Sequence, residues 1–123
     1  MSIKAIETKY KGYRFRSRLE ARWAVFFDAL GLDWVYEPEG FNLGEAGFYL
    51  PDFWIDYGTD DRFWVEVKAH KNLSDREYAI GVALSEYAPG FIALGQPETP
   101  TFYGPISPNL GEVKVDMYRG SWF

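Results

Sequence analysis

Two strongly apolar, aromatic segments, FYLPDFWIDY (48–57) and RFWVEVKA (62–69), are separated only by GTDD. Apolar and aromatic runs bounded by a Gly/Asp turn read as paired strands. Yet each run carries acidic residues in its middle. Strand interiors disfavour Asp, and burying a carboxylate costs several kcal/mol, on the order of a whole side chain's burial energy, unless something compensates for it. Whatever this chain folds into has to accommodate Asp52, Glu66 and Lys68 in that hairpin.

The pairing follows from the connection. With YGTDD as a five-residue link, Asp56 faces Arg62, Trp54 meets Trp64 and Asp52 meets Glu66. Opposite residues bring their Cβ atoms to about 4.5–5.5 Å. A period of two then places Asp52, Glu66 and Lys68 on one face and Phe53, Ile55, Phe63, Val65 and Val67 on the other. A slip of two residues would preserve the faces and stays open, whereas a slip of one would disrupt the whole apolar pattern. Two carboxylates this close either share a proton or hold a cation. Hard oxygen donors suit Mg²⁺, which binds through one or two carboxylates and keeps several waters. An ammonium beside them, Lys68, can orient a water or stabilise charge on a phosphate. The plainer alternative is that Asp52 begins a strand and faces solvent, with Glu66 and Lys68 as ordinary outward residues.

The rest of the chain supplies the surroundings. The spacing of Leu19, Trp23, Phe26, Phe27 and Leu30 in SRLEARWAVFFDALG predicts a helix, capped by Ser17 and stopped at Gly31. Glu20 completes a Ser-x-x-Glu capping box, and it also borders the apolar stripe where it could reach a metal. LDWVYEPEGF reads as a short strand. DREYAIGVALSEYA reads as a second helix capped by Ser74, and FIALG as a buried strand. Residues 1–14 read as a basic lead-in, with extended chain as far as residue 16. The segment from 96 to 123 reads as a Pro/Gly-rich extension, in which GEVKVDMY could add an edge strand. The order helix, three strands, helix, strand predicts one α/β domain over 1–123, with a core of about 15–95 and a mixed sheet flanked by helices.

Composition bears on partners. Hydrophobic residues make up 47% of the 123 residues, enough for a core. There is no Cys, which rules out disulfides and thiolate metal sites and is compatible with a reducing, cytoplasmic setting. No apolar leader or spanning run is evident, so no membrane partner is expected. The net charge of −5 is uneven: residues 1–24 hold seven basic and two acidic residues. Lys9, Lys11, Arg14, Arg16, Arg18 and Arg22 are phosphate-contact candidates, since such contacts position a duplex without reading it. Arg18 and Arg22 read equally well as a solubilising helix surface. Lys71 and His70 follow the second hairpin strand, where His70 reads more simply as a solvated loop residue.

Taken together, Glu20 in the first helix, Pro51-Asp52 and Glu66-Val67-Lys68, with a helix and a strand following, resemble the PD-(D/E)xK nuclease superfamily, the restriction-endonuclease-like fold with its αβββαβ core. The small size and early acidic helix are similar to its phage-type endonucleases and junction resolvases. The resemblance implies a metal-dependent DNA endonuclease using Mg²⁺, with Mn²⁺ as a substitute. Asp52, Glu66 and the Val67 carbonyl would hold the ion. Glu20 would bind or orient a second metal or its water, and Lys68 would position the attacking water. A further polar residue is expected in the second helix, among Asp75, Arg76, Glu77 and Tyr78. No base-reading helix or zinc module is present, so cleavage is expected to follow DNA structure or be weakly sequence-specific. An acidic chain with little Lys or Arg beyond its first third is expected to use a homodimer or another partner to hold DNA. The aromatic tail ending at Trp122 and Phe123 would serve as that interface or close the protein's own core. Two other roles remain open: a non-catalytic nucleic-acid-binding module on the same fold, and an acidic inhibitor that binds a DNA-binding protein.

Overall fold

The structure is a computed structural model that describes residues 8–106 and 114–115. Lys11 and Gly12, both at positive φ (54° and 84°), close a tight turn between β1 (Lys9–Tyr10) and β2 (Tyr13–Arg14). This departs from the extended lead-in expected over 1–16. The segment folds back because its aromatics have partners: Tyr13 packs on Trp34 and Phe15 on Tyr36 and Phe53.

Helix α1 (Arg18–Ala29) starts where Ser17 accepts the Glu20 N–H at 3.1 Å, and buries Ala21, Trp23, Ala24 and Phe27. The chain then runs through β3 (Trp34–Tyr36), β4 (Phe41–Asn42), a 3₁₀ turn at Gly44–Ala46, β5 (Phe48–Tyr49), β6 (Phe53–Ile55) and β7 (Phe63–Lys68). Helix α2 (Asp75–Leu84) leads to β8 (Gly90–Leu94), β9 (Thr101–Ile106) and β10 (Lys114–Val115).

Six strands form one mixed sheet in the order β10-β9-β8-β7-β6-β3. Only β7 and β8 are parallel, joined through α2; the other pairs are antiparallel. The β6–β7 register pairs Trp54 with Trp64, as the sequence predicts. Alternation then splits the core in two. Phe53, Ile55, Val65 and Val67 face α1 with Trp23, Phe27 and Phe15, while Trp54, Trp64, Ile92 and Ile106 face α2 with Ile80 and Leu84. Burying each such side chain contributes about 1.5–3 kcal/mol. Close approach requires glycine at one point: a Cβ on Gly90 would come within 1.9 Å of the Trp64 ring.

Two expectations are corrected. Residues 48–57 are not one strand. Pro51 has no N–H to give a ladder, so pairing breaks there, and β5 joins β4 in a separate hairpin that packs Phe41 against Trp54. The segment after Gln96 is also more than an extension, because β9 lies beside β8 as an interior strand and β10 edges the sheet. The backbone of Lys114–Val115 falls inside the expected GEVKVDMY strand; the rest of that stretch, Trp122 and Phe123 lie outside the described residues. The order from α1 to β8 is thus that of a mixed α/β fold with an inserted hairpin between β3 and β6.

Candidate active site

The break at Pro51 creates the site. The β6–β7 ladder ends at the pair Phe53–Val65, leaving the Asp52 and Val67 N–H groups beyond it. The carboxylates take these donors. Asp52 Oδ2 accepts the Val67 N–H at 2.8 Å, and Glu66 Oε1 accepts the Asp52 N–H at 2.7 Å. Each acid is thereby locked to the opposite strand. Both are buried, Glu66 at 2% exposure and Asp52 at 9%.

Burial dominates their electrostatics. It raises the Asp52 carboxyl well above its ordinary range, the Glu66 charge adds to that, and the Val67 N–H offsets part of it. Glu66 is also raised by burial, against opposing contributions from Tyr49, Lys68 and the Asp52 N–H. Lys68 Nζ lies 3.9 Å from Glu66 Oε2. One ammonium beside two buried carboxylates leaves the pair short of positive charge.

Tyr49 was not among the candidates, yet its hydroxyl accepts from Lys68 Nζ at 3.1 Å. Burial and the Glu66 charge raise the phenol strongly, keeping it neutral. Strand alternation carries no signal for it, because Tyr49 arrives on β5 across the Pro51 break.

Glu20 approaches from α1. Its Oε1 accepts from the Tyr36 hydroxyl at 2.9 Å, and that hydroxyl accepts the Arg16 N–H at 3.0 Å. The full capping box forms instead at Ser74–Glu77 on α2. Glu20 is buried and its charge raises both Asp52 and Glu66, so it lies within their electrostatic reach. Among the described residues, no three His, Asp or Glu side chains are grouped so as to hold a metal by themselves.

The basic candidates divide. Arg16 pairs with Glu37 at 2.7 Å, and Glu37 N–H in turn donates to the Asp52 carbonyl, so Arg16 borders the site. Arg22 pairs with Glu98 at 2.9 Å, on the side where Trp23 Nε1 donates to the Gly95 carbonyl and Gly95 N–H to that of Lys68. Lys71 lines a groove of about 370 Å³ with Gly95, Gln96 and Thr99. Lys9, Arg18 and Arg22 line an open groove of about 330 Å³ along α1. Lys11 instead pairs with Asp28 at 3.1 Å, at the end of α1 away from Glu20, and Arg14 lies exposed in the N-terminal hairpin. His70 pairs with Glu77 at 2.8 Å, and the Glu77 charge is among those that raise the Tyr49 phenol.

No protein-family model matches the sequence, and no curated protein matches it. Among solved structures the chain is similar to a Holliday junction resolvase, Hjc, from Archaeoglobus fulgidus. The identity is 22% over 72% of this chain and 70% of that one, with a TM-score of 0.49. A likeness this distant carries no argument about fold or activity. No helix among the described residues is long and apolar enough to cross a membrane.

Proposed function

We propose that this chain is a metal-dependent DNA endonuclease of the PD-(D/E)xK kind, built on a restriction-endonuclease-like core over about residues 15–95. The observation that carries the reading is the interlocked, buried Asp52–Glu66 pair with Lys68 on the strand beside it. Buried carboxylates that merely satisfied backbone N–H groups would not need a lysine two residues along the same strand.

The donor set fits a divalent cation of the Mg²⁺ type. Its side chains offer only oxygen, the pair is short of positive charge, and such an ion binds through one or two carboxylates with the substrate's phosphate completing the shell. Asp52 and Glu66 would hold it, with the Val67 carbonyl as a further ligand, and Mn²⁺ would substitute. When bound, the ion supplies Lewis-acid polarisation of the scissile phosphate.

The chain's own groups would do the rest. Lys68 would orient the attacking water and stabilise charge developing on the phosphate. Glu20, held by Tyr36, would orient water from the α1 side. Arg16, Arg18, Arg22 and Lys71, together with Lys9, Lys11 and Arg14, would take backbone phosphates. Pairs such as Arg16–Glu37 and Arg22–Glu98 are exposed and worth about 0–1 kcal/mol, so a phosphate can displace the acid. The sequence carries no base-reading helix or zinc module, which favours recognition of DNA structure.

The test is cleavage of supercoiled plasmid and of branched DNA by wild type and Lys68→Ala, each with Mg²⁺ and with EDTA. Cutting that needs Mg²⁺ and that Lys68→Ala abolishes supports the reading. Folded wild type that cuts neither substrate overturns it.

A further inference from the structure

Tyr49 belongs to the site but comes from outside the hairpin that builds it. It stands on β5, held by pairing with Phe41 of β4, and crosses the Pro51 break to reach Lys68. Its hydroxyl accepts from Nζ at 3.1 Å, and its ring lies 5.8 Å from the same nitrogen. A hydroxyl that accepts from the ammonium gives Nζ a partner other than Glu66. The observed gap fits: Nζ stands 3.9 Å from Glu66 Oε2, where a direct ammonium–carboxylate hydrogen bond would be about 2.7–2.9 Å. Two residues apart on one face of β7, Lys68 has the reach to close that gap.

We propose that Tyr49 is a positioning residue that keeps Lys68 from collapsing onto Glu66, so that Glu66 retains an oxygen for a divalent cation. The β4–β5 hairpin is then a functional insertion, placed between β3 and β6 to deliver one hydroxyl. This rests on the reading of Asp52 and Glu66 as cation ligands.

Mn²⁺ binding to the protein without DNA, followed by the loss of the free-ion EPR signal, tests it directly. Wild type, Tyr49→Phe, Lys68→Met and the double variant are compared, with melting temperatures as a check on folding. Tyr49→Phe keeps the ring and removes only the hydroxyl. Its Mn²⁺ affinity is expected to fall about tenfold, as for loss of other outer-shell partners. With Lys68→Met already present, removing the hydroxyl is expected to cost nothing, because no ammonium remains to collapse. Unchanged affinity in Tyr49→Phe overturns the inference. So does an equal loss in the Lys68→Met background, which would place the hydroxyl's effect on Glu66 itself. If wild type binds no Mn²⁺, the cation reading fails and this inference fails with it.

Discussion

Two acidic sites in this chain meet opposite fates. Asp28, near the end of α1, accepts from the Tyr10 hydroxyl at 2.6 Å and from Trp34 Nε1 at 2.8 Å, and pairs with Lys11 at 3.1 Å. Those donors, the Tyr10 hydroxyl first, hold its carboxyl below the ordinary 3.8. Asp52 and Glu66 each receive a backbone N–H as well, yet burial drives both upward. One acid is satisfied by its neighbours and pins the N-terminal hairpin to the core. The other two are held in place and left under-compensated. Perturbed carboxylates of this kind cluster at functional sites, which is the physical basis for proposing a cation site there.

Neutralising each acid breaks the comparison open. Asp52→Asn is expected to lower DNA cleavage by about 10³-fold, the scale for losing a main electrostatic contributor. The same change is expected to raise stability by about 1 kcal/mol, because it removes a buried charge without changing shape. Urea unfolding beside plasmid cleavage reads both. A cleavage-competent Asp52→Asn, or a destabilised one, would erase the contrast.

At Asp28 the sign is reversed. Asp28→Asn is expected to cost about 2 kcal/mol, since the amide cannot accept from both ring donors. The depressed carboxyl contributes stability that is present above pH 3.8 and lost as pH falls through its lower folded value. The difference between wild type and Asp28→Asn in urea melts should therefore be full at pH 7 and shrink below about pH 4. A difference that persists unchanged into strong acid would mean the charge is not what counts.

The smallest effects lie at the rim. Arg22→Ala is expected to change stability by less than about 0.5 kcal/mol, because its pair with Glu98 is exposed. DNA affinity measured across salt concentrations should still fall, with the slope reduced by about one ion. Lys11→Ala is expected to reduce that slope by less than Arg22→Ala does, because its ammonium is already paired with Asp28 at the far end of α1.

The hairpin was legible because alternation around Trp54 and Trp64 excludes a slip of one residue, while a slip of two stayed open until the structure paired Trp54 with Trp64. Two limits of the sequence share a cause, the punctuating residues. Pro51 reads as part of one continuous strand over 48–57, but it ends pairing, and that is what lets Tyr49 enter from β5. Its Pro and Gly content makes the segment from Gln96 read as an extension, yet β9 accommodates Gly104 and Pro105 beside a register shift in β8. Tyr10 and Tyr13 needed tertiary partners, Asp28 and Trp34, to turn a basic lead-in into a hairpin. Glu20 was legible as an N-terminal acid, whereas its choice of Tyr36 over the capping box depends on where β3 lies.

Thermal unfolding of wild type and Asp52→Asn, each with saturating Mg²⁺ and with EDTA, tests the central claim without any substrate. A cation that binds only the folded chain must raise its melting temperature. Wild type is expected to gain stability with Mg²⁺ and Asp52→Asn is not. A wild type whose melting temperature ignores Mg²⁺ would contradict the account, leaving Asp52 and Glu66 as backbone caps like any others.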